Sequence, residues 1–221
     1  MRSTPTLPRG SEPLFVLGLT GSIGMGKSTV AGMFRRCGAL VHDADAVVHQ
    51  LYGPGGAAVP RVAALAPDAV VGTGRSARVD RAVLGKVVLN DADALKALEA
   101  AVHPLVGRAC DWFLRHACSR GVDLVIMDVP LLFETGGEKR VDATCVVSAP
   151  AFVQAHRVLA RAGMTMEKLD SIRRRQMPDA KKRRLADFVV PTGLSKALTW
   201  RRVEALADDL KTRSGHIWPP R

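Results

Sequence analysis

Residues 21–28, Gly21-Ser22-Ile23-Gly24-Met25-Gly26-Lys27-Ser28, have the spacing G-x-x-x-x-G-K-[ST], the pattern of a loop that wraps phosphate. Glycines at these places let the backbone curl tightly enough to aim successive N–H groups at phosphate oxygens. Lys27 adds a mobile cation for β- and γ-phosphates, and Ser28 offers a hydroxyl to Mg²⁺. Thr29 carries the chain into a helix whose positive end points at the same anion. Residues 21–29 are therefore the expected site for a nucleoside triphosphate. No N-K-x-D segment reads guanine and no L-S-G-G-Q signature follows, so a small-molecule kinase fits better than a GTPase or a transporter ATPase.

A kinase acting on a hydroxyl needs a carboxylate to accept or orient its proton. Asp43 and Asp45 lie just past a second apolar run, where neighbouring parallel strands open onto one crevice. Asp45 is the candidate base; equally, one of the two aspartates caps the helix that follows. Asp128 closes the apolar run Leu124–Met127, a placement that suits Mg²⁺ held through water or a plain strand-end aspartate. Arg157 and Arg161, one helical turn apart, can screen a triphosphate during transfer or form a solvated face. The histidines show no metal-ligand spacing.

These groups need elements to place them. Leu14–Leu19 reads as a buried strand, and Val30, Met33 and Phe34 recur at helical spacing up to Gly38. Ala39–His42 reads as a second strand, so strand–helix–strand order implies a parallel βαβ unit. From Gly53 to about Arg120 the pattern is mainly helical with no strong strand, and one helix is expected to break at His103-Pro104. Strands are expected again over 122–127, 143–147 and 188–190, with helices over 151–162 and 194–210. The expected organisation is a lead-in over 1–13, an α/β core over 14–51 and 121–211, a helical insertion over 52–120 and a tail over 212–221.

Composition bounds the rest. The chain has 221 residues, 47% apolar and 24% charged, ordinary for a globular protein and too apolar for a disordered one. No run approaches the ~20 apolar residues that span a bilayer. Four scattered cysteines without a C-x-x-C pair read as reduced thiols, which suits the cytoplasm. The net charge of +11 points to a polyanionic partner. Residues 151–221 hold 16 Lys and Arg against 7 Asp and Glu, or +9, so most of the excess lies late in the chain.

Several segments together resemble the dephospho-coenzyme A kinase family. They are LTGSIGMGKSTV (19–30), HDADAVVHQLY (42–52), VDRAVLGKVV (79–88), HPLV (103–106), DVPLLFE (128–134), RVLARAGM (157–164), RRQM (174–177) and ADFVV (186–190). The resemblance runs over about residues 14–210. It implies an adenylate-kinase-like P-loop NTPase core, an inserted helical domain that grips the coenzyme, and a lid over ATP at about 157–184. It implies ATP and dephospho-coenzyme A as small-molecule substrates, Mg²⁺ as cofactor, and transfer to the ribose 3′-hydroxyl, the last step of coenzyme A biosynthesis. Asp45 matches the family's proposed catalytic aspartate, and Lys27, Arg157 and Arg161 the charge-screening groups. Arg81, His103 and the segment Pro130, Leu131, Leu132 match the acceptor-binding side. Many members carry Asp-Asn after the last strand, near the adenine; here Pro191-Thr192-Gly193 follows Val190, which leaves backbone groups to hold the base.

Two other readings compete. A shikimate-kinase-like enzyme also carries D-x-D after its second strand, but lacks the long insertion and has a Gly-Gly-Gly segment absent here. A basic ATP-dependent nucleic-acid-binding protein would suit the charge, but 5% aromatic residues are few for base stacking and no nucleic-acid motif is present. No nucleic-acid or membrane partner is therefore expected. A phosphate loop without catalysis would bind nucleotide and not turn it over.

Overall fold

Six consecutive buried residues, Phe15–Thr20, form β1. An apolar run without polar alternation is what a strand covered on both faces requires. The computed structural model describes residues 14–88 and 91–218; the expected lead-in over 1–13 and the last three residues of the expected tail lie outside them. After β1 come α1 (Lys27–Arg36), β2 (Leu40–Asp43), α2 (Ala44–Tyr52), α3 (Val59–Leu65), β3 (Val70–Val71), β4 (Arg78–Val79), α4 (Arg81–Val88) and α5 (Ala92–Ser119). The chain continues through β5 (Leu124–Asp128), β6 (Ala143–Ser148), α6 (Ala151–Leu159), α7 (Met166–Arg175), α8 (Asp179–Leu185), β7 (Phe188–Pro191) and α9 (Lys196–Lys211).

The main sheet has the order β2-β5-β1-β6-β7. β1 pairs in parallel with β5 and β6, and β6 in parallel with β7. β1 is thus the switch point from which the chain winds to either side, the place where such sheets bind ligands at the strands' carboxyl ends. Val30, Ala31 and Phe34 of α1 and Val203, Ala207 and Leu210 of α9 share one core with Leu17, Leu19, Leu124, Ile126 and Cys145. Pro191, expected to stop the last strand, is instead its final residue, at the sheet edge where a missing N–H is tolerated.

The chain divides into two compact units. One runs to His42 and resumes at Leu114; the other is Asp43–Phe113. The second has its own core, built around Ala58, Val59, Val62, Leu84, Leu98 and Val102. Its bounds differ from the 52–120 expected for the insertion. Leu51 and Tyr52 of α2 pack on that second core, whereas Leu114 and Ala117 of α5 are buried in the sheet-containing unit. The insertion is also not wholly helical. β3 and β4 pair antiparallel, Val70 opposite Val79, and two-residue strands are too short to leave a period in the sequence.

The expected break at His103-Pro104 does not occur: α5 runs unbroken for 28 residues with Pro104 inside it. Leu98, Val102 and Leu105 are buried on both sides of the proline, and their packing offsets the missing hydrogen bond. The segment after α9 is not a loose tail as far as Trp218, which is buried. Oδ1 of Asp142 accepts the N–H groups of His216 at 2.7 Å and Ile217 at 2.9 Å, while Oδ2 accepts the Val16 N–H at 2.7 Å.

Candidate active site

β1 delivers Gly21 to the carboxyl end of the sheet, so close to β6 that a Cβ would lie 2.7 Å from the Val147 carbonyl oxygen. Gly24 and Gly26 take φ of 75° and 90°, the left-handed region that only glycine enters freely. A Cβ on Gly24 would also meet Val158 of α6 at 2.5 Å. The loop therefore has its curl and its packing from the same glycine. Gly26 caps α1, whose first turn holds no acidic residue, leaving its positive end free to face an anion.

Asp128 ends β5 directly opposite Leu19 of β1, and its buried carboxylate accepts a hydrogen bond from Lys27 Nζ. Ser28 and Thr29 are exposed at the start of α1. Beyond β7, Thr192 ties three segments together. Its hydroxyl donates to the Met25 carbonyl at 2.6 Å and accepts from Arg157 Nη1 at 3.0 Å, while Arg157 Nη2 donates to the Thr192 carbonyl at 2.6 Å. Next to this knot lies a cavity of about 280 Å³ lined by Thr29, Met33, Arg157, Arg161, Leu194 and Lys196.

The loop after β5 is anchored by Thr20 at the end of β1 and by Lys182 of α8. The Pro130 carbonyl accepts from Thr20 Oγ1 at 3.0 Å and from Lys182 Nζ at 3.2 Å. Lys182, fully buried, forms an ion pair with Glu134 Oε1 at 3.0 Å, which also accepts the Met177 N–H at 2.8 Å. Partial burial favours the neutral form of Glu134, but the Met177 N–H and the Lys182 ammonium outweigh it and hold the carboxyl below its ordinary range.

The second unit has a larger cavity, about 700 Å³, lined among others by His49, Tyr52, Arg78, Asp80 and Arg81. Burial pushes the Tyr52 hydroxyl up, against the pull of the Arg81 guanidinium, so it stays protonated and able to donate at neutral pH.

Comparison with known proteins decides the family. The dephospho-CoA kinase family profile matches residues 15–195. The chain belongs to that family. A dephospho-CoA kinase from Mesorhizobium japonicum is 52% identical over 202 residues, covering 91% of this chain and all of the relative. The crystal structure of TT1252 from Thermus thermophilus superposes with a TM-score of 0.76 at 37% identity, covering 92% of this chain and all of that one. Dephospho-CoA kinase from Campylobacter jejuni shares the fold, with a TM-score of 0.65 at 20% identity over 89% of this chain and 96% of that one.

In this dephospho-CoA kinase family member, the sheet-containing unit brings together the phosphate loop, Asp128, Arg157 and Arg161. Arg157 is engaged with Thr192, and Arg161 is exposed on the rim of the smaller cavity. The two aspartates after β2 part roles: Asp43 Oδ1 caps α2 by accepting the Ala46 N–H at 3.0 Å, and Asp45 stands exposed in the first turn without the capping bond. Arg81 lines the larger cavity; His103 lies on an exposed face of α5 and does not line it. Leu131 is exposed, whereas Leu132 is buried where a Cβ on Gly18 would come within 2.8 Å of it. Nothing in the sequence pattern shows the contacts of Gln154, Gln176, Lys182 and Thr192. Lys182 sits in a run of four basic residues, where nothing shows that one of them turns inward. In the sequence Thr192 shows only as a departure from Asp-Asn, whereas its side chain lies at the centre of the knot.

Proposed function

We propose that the chain transfers the γ-phosphoryl group of ATP to the ribose 3′-hydroxyl of dephospho-coenzyme A, giving coenzyme A and ADP. The observation that carries the reading is the glycine-curled loop with Lys27 on Asp128, in a chain belonging to the dephospho-CoA kinase family. Asp45 accepts or orients the hydroxyl proton, which leaves the 3′-oxygen to attack in line with the departing ADP. Lys27, Arg161 and, through the guanidinium edge not spent on Thr192, Arg157 screen charge as it spreads over the transferring group. The smaller cavity takes the adenosine end of ATP. The larger one, with Arg78 and Arg81 on its wall, takes an anionic part of the coenzyme; Pro130, Leu131, Leu132 and His103 are assigned to the acceptor on the family resemblance.

Ser28 and Asp128 offer the oxygen donors that suit Mg²⁺, and among the described residues no group of three or more His, Cys, Asp or Glu forms a closed metal cage. That fits an ion held mainly by phosphate oxygens and water. Ser28 and Asp128 would hold the ion there, and it would supply positive charge to offset the negative charge of the transferring phosphoryl group. No helix among the described residues is long and apolar enough to cross a membrane. The reading places the enzyme in the cytoplasm with two small-molecule substrates and no nucleic-acid partner.

The test is ADP release with dephospho-coenzyme A, shikimate, nucleoside monophosphates and single-stranded DNA offered in parallel. Only dephospho-coenzyme A is expected to stimulate; equal stimulation by another acceptor overturns the reading. Asp45→Asn is expected to leave ATP binding intact and to lower turnover by ~10²-fold or more. Wild-type turnover in that variant would remove Asp45 from the chemistry.

A further inference from the structure

The phosphate loop is gripped at Ile23 by two side chains from the basic last third of the chain, Gln176 and Gln154, and Gln154 is held in turn by Arg173. Ile23 N–H donates to Gln176 Oε1 at 3.1 Å, and the Ile23 carbonyl accepts from Gln154 Nε2 at 2.8 Å. Gln154 Oε1 in turn accepts from Arg173 Nε at 3.1 Å and Nη2 at 2.8 Å, and Arg173 Nη1 donates to Asp170 Oδ1 at 3.2 Å. The orientation of the Gln154 amide follows from its partners: a guanidinium only donates and a carbonyl only accepts. Gln154 is 5% exposed, so water does not stand in for either partner.

We propose that Gln154, Arg173 and Gln176 are positioning residues for phosphoryl transfer, holding the two peptide units around Ile23 so that the Gly24 N–H keeps its direction. In a trans peptide the C=O of one residue and the N–H of the next point opposite ways. Anchoring the Ile23 carbonyl on Gln154 therefore aims the Gly24 N–H away from Gln154. The preceding unit is held likewise, with the Ser22 carbonyl accepting the Met25 N–H at 3.2 Å while Ile23 N–H sits on Gln176. The hold matters because Gly24 is at φ 75° and carries no Cβ to resist rotation of the 23–24 peptide. Turned over, that peptide would present a carbonyl where the loop should present a donor. Arg173 and Gln176 lie at and just past the end of α7, so the segment that supplies cationic side chains also sets the loop's donor geometry.

The inference rests on the phosphate-loop part of the proposed function but not on the acceptor. The decisive variant is Gln154→Glu, which keeps an acceptor for Arg173, removes the donor to the Ile23 carbonyl and adds a carboxylate charge; Gln176→Glu adds the same charge at the other side of Ile23 without removing a loop bond, and is the charge control. The expected result is a fall in kcat of about 10- to 100-fold, the scale of a misplaced reactive group, with KM for dephospho-coenzyme A and the melting temperature little changed. Gln176→Glu keeps the acceptor for Ile23 N–H and is expected to retain more activity than Gln176→Ala. Without any acceptor substrate, hydrogen exchange at the Gly24 amide in the ADP complex is expected to quicken at least tenfold in Gln154→Glu. If that variant fails to fold, Arg173→Ala, which frees Gln154 without touching the loop, is expected to show the same two changes. Wild-type kcat and unchanged Gly24 exchange in the folded variant would overturn the proposal. Inactivity of the wild type toward dephospho-coenzyme A would overturn the acceptor assignment, and the exchange measurement would still decide the hold on Ile23.

Discussion

Lys182 shows how much a single charge depends on its surroundings. Its side chain is fully buried, with the Glu134 carboxylate and the Pro130 carbonyl as partners. A buried ammonium that loses its counter-charge is strongly destabilising, so Glu134→Gln is expected to cost about 3 kcal/mol in urea unfolding. A change below 0.5 kcal/mol would show that the pair is not coupled to folding. The pH dependence has a defined sign. The Glu134 carboxyl is held below its ordinary range, so its contribution is complete above the unfolded carboxyl's pKa and is lost as pH falls through the lower folded value. The stability gap between wild type and Glu134→Gln should therefore narrow on acidification and stay constant around neutrality. None of this was readable from the KKRR run, because inward and outward lysines have the same letter. The phosphate loop was readable residue by residue, since its glycines answer to backbone dihedrals and not to distant partners.

Among the elements, long periodic segments declared themselves and junctions did not. β1, α1, β5, β6 and α9 lie within a few residues of where apolar runs and helical spacing put them. α5 did not, because the proline rule is local and the packing of Leu98, Val102 and Leu105 is not. Pro104→Ala restores a backbone donor inside an otherwise unbroken helix and is expected to raise stability by about 1–2 kcal/mol, below the ~3 kcal/mol cost of an interior proline because packing has adapted to the ring. A loss of stability would show that α5 needs the proline's geometry. The β3–β4 pair leaves no period in the sequence for a different reason: its order comes from the glycine turn at Gly72, φ 83°, and from packing of Val79 and Val70 on the second core. The cap of α2 was legible only as a choice between two aspartates, which the Asp43 side chain settles.

For the whole molecule, the question left by composition was what a charge of +11 serves. Part of the late excess is spent internally: Arg157 on Thr192, Arg173 on Gln154 and Lys182 on Glu134. Another part, Arg161 and Lys196 among it, lines the smaller cavity, where an anionic phosphate ester would meet it. Family membership and fold were thus legible in ordered motifs, while the side-chain partnerships that hold the site together emerged only from the folded chain. The most direct test of the account is ³¹P NMR of the wild-type enzyme mixed with ATP and dephospho-coenzyme A. The predicted result is a new ribose 3′-phosphomonoester signal growing in step with ADP. ADP accompanied by inorganic phosphate, with no new phosphomonoester, would contradict it.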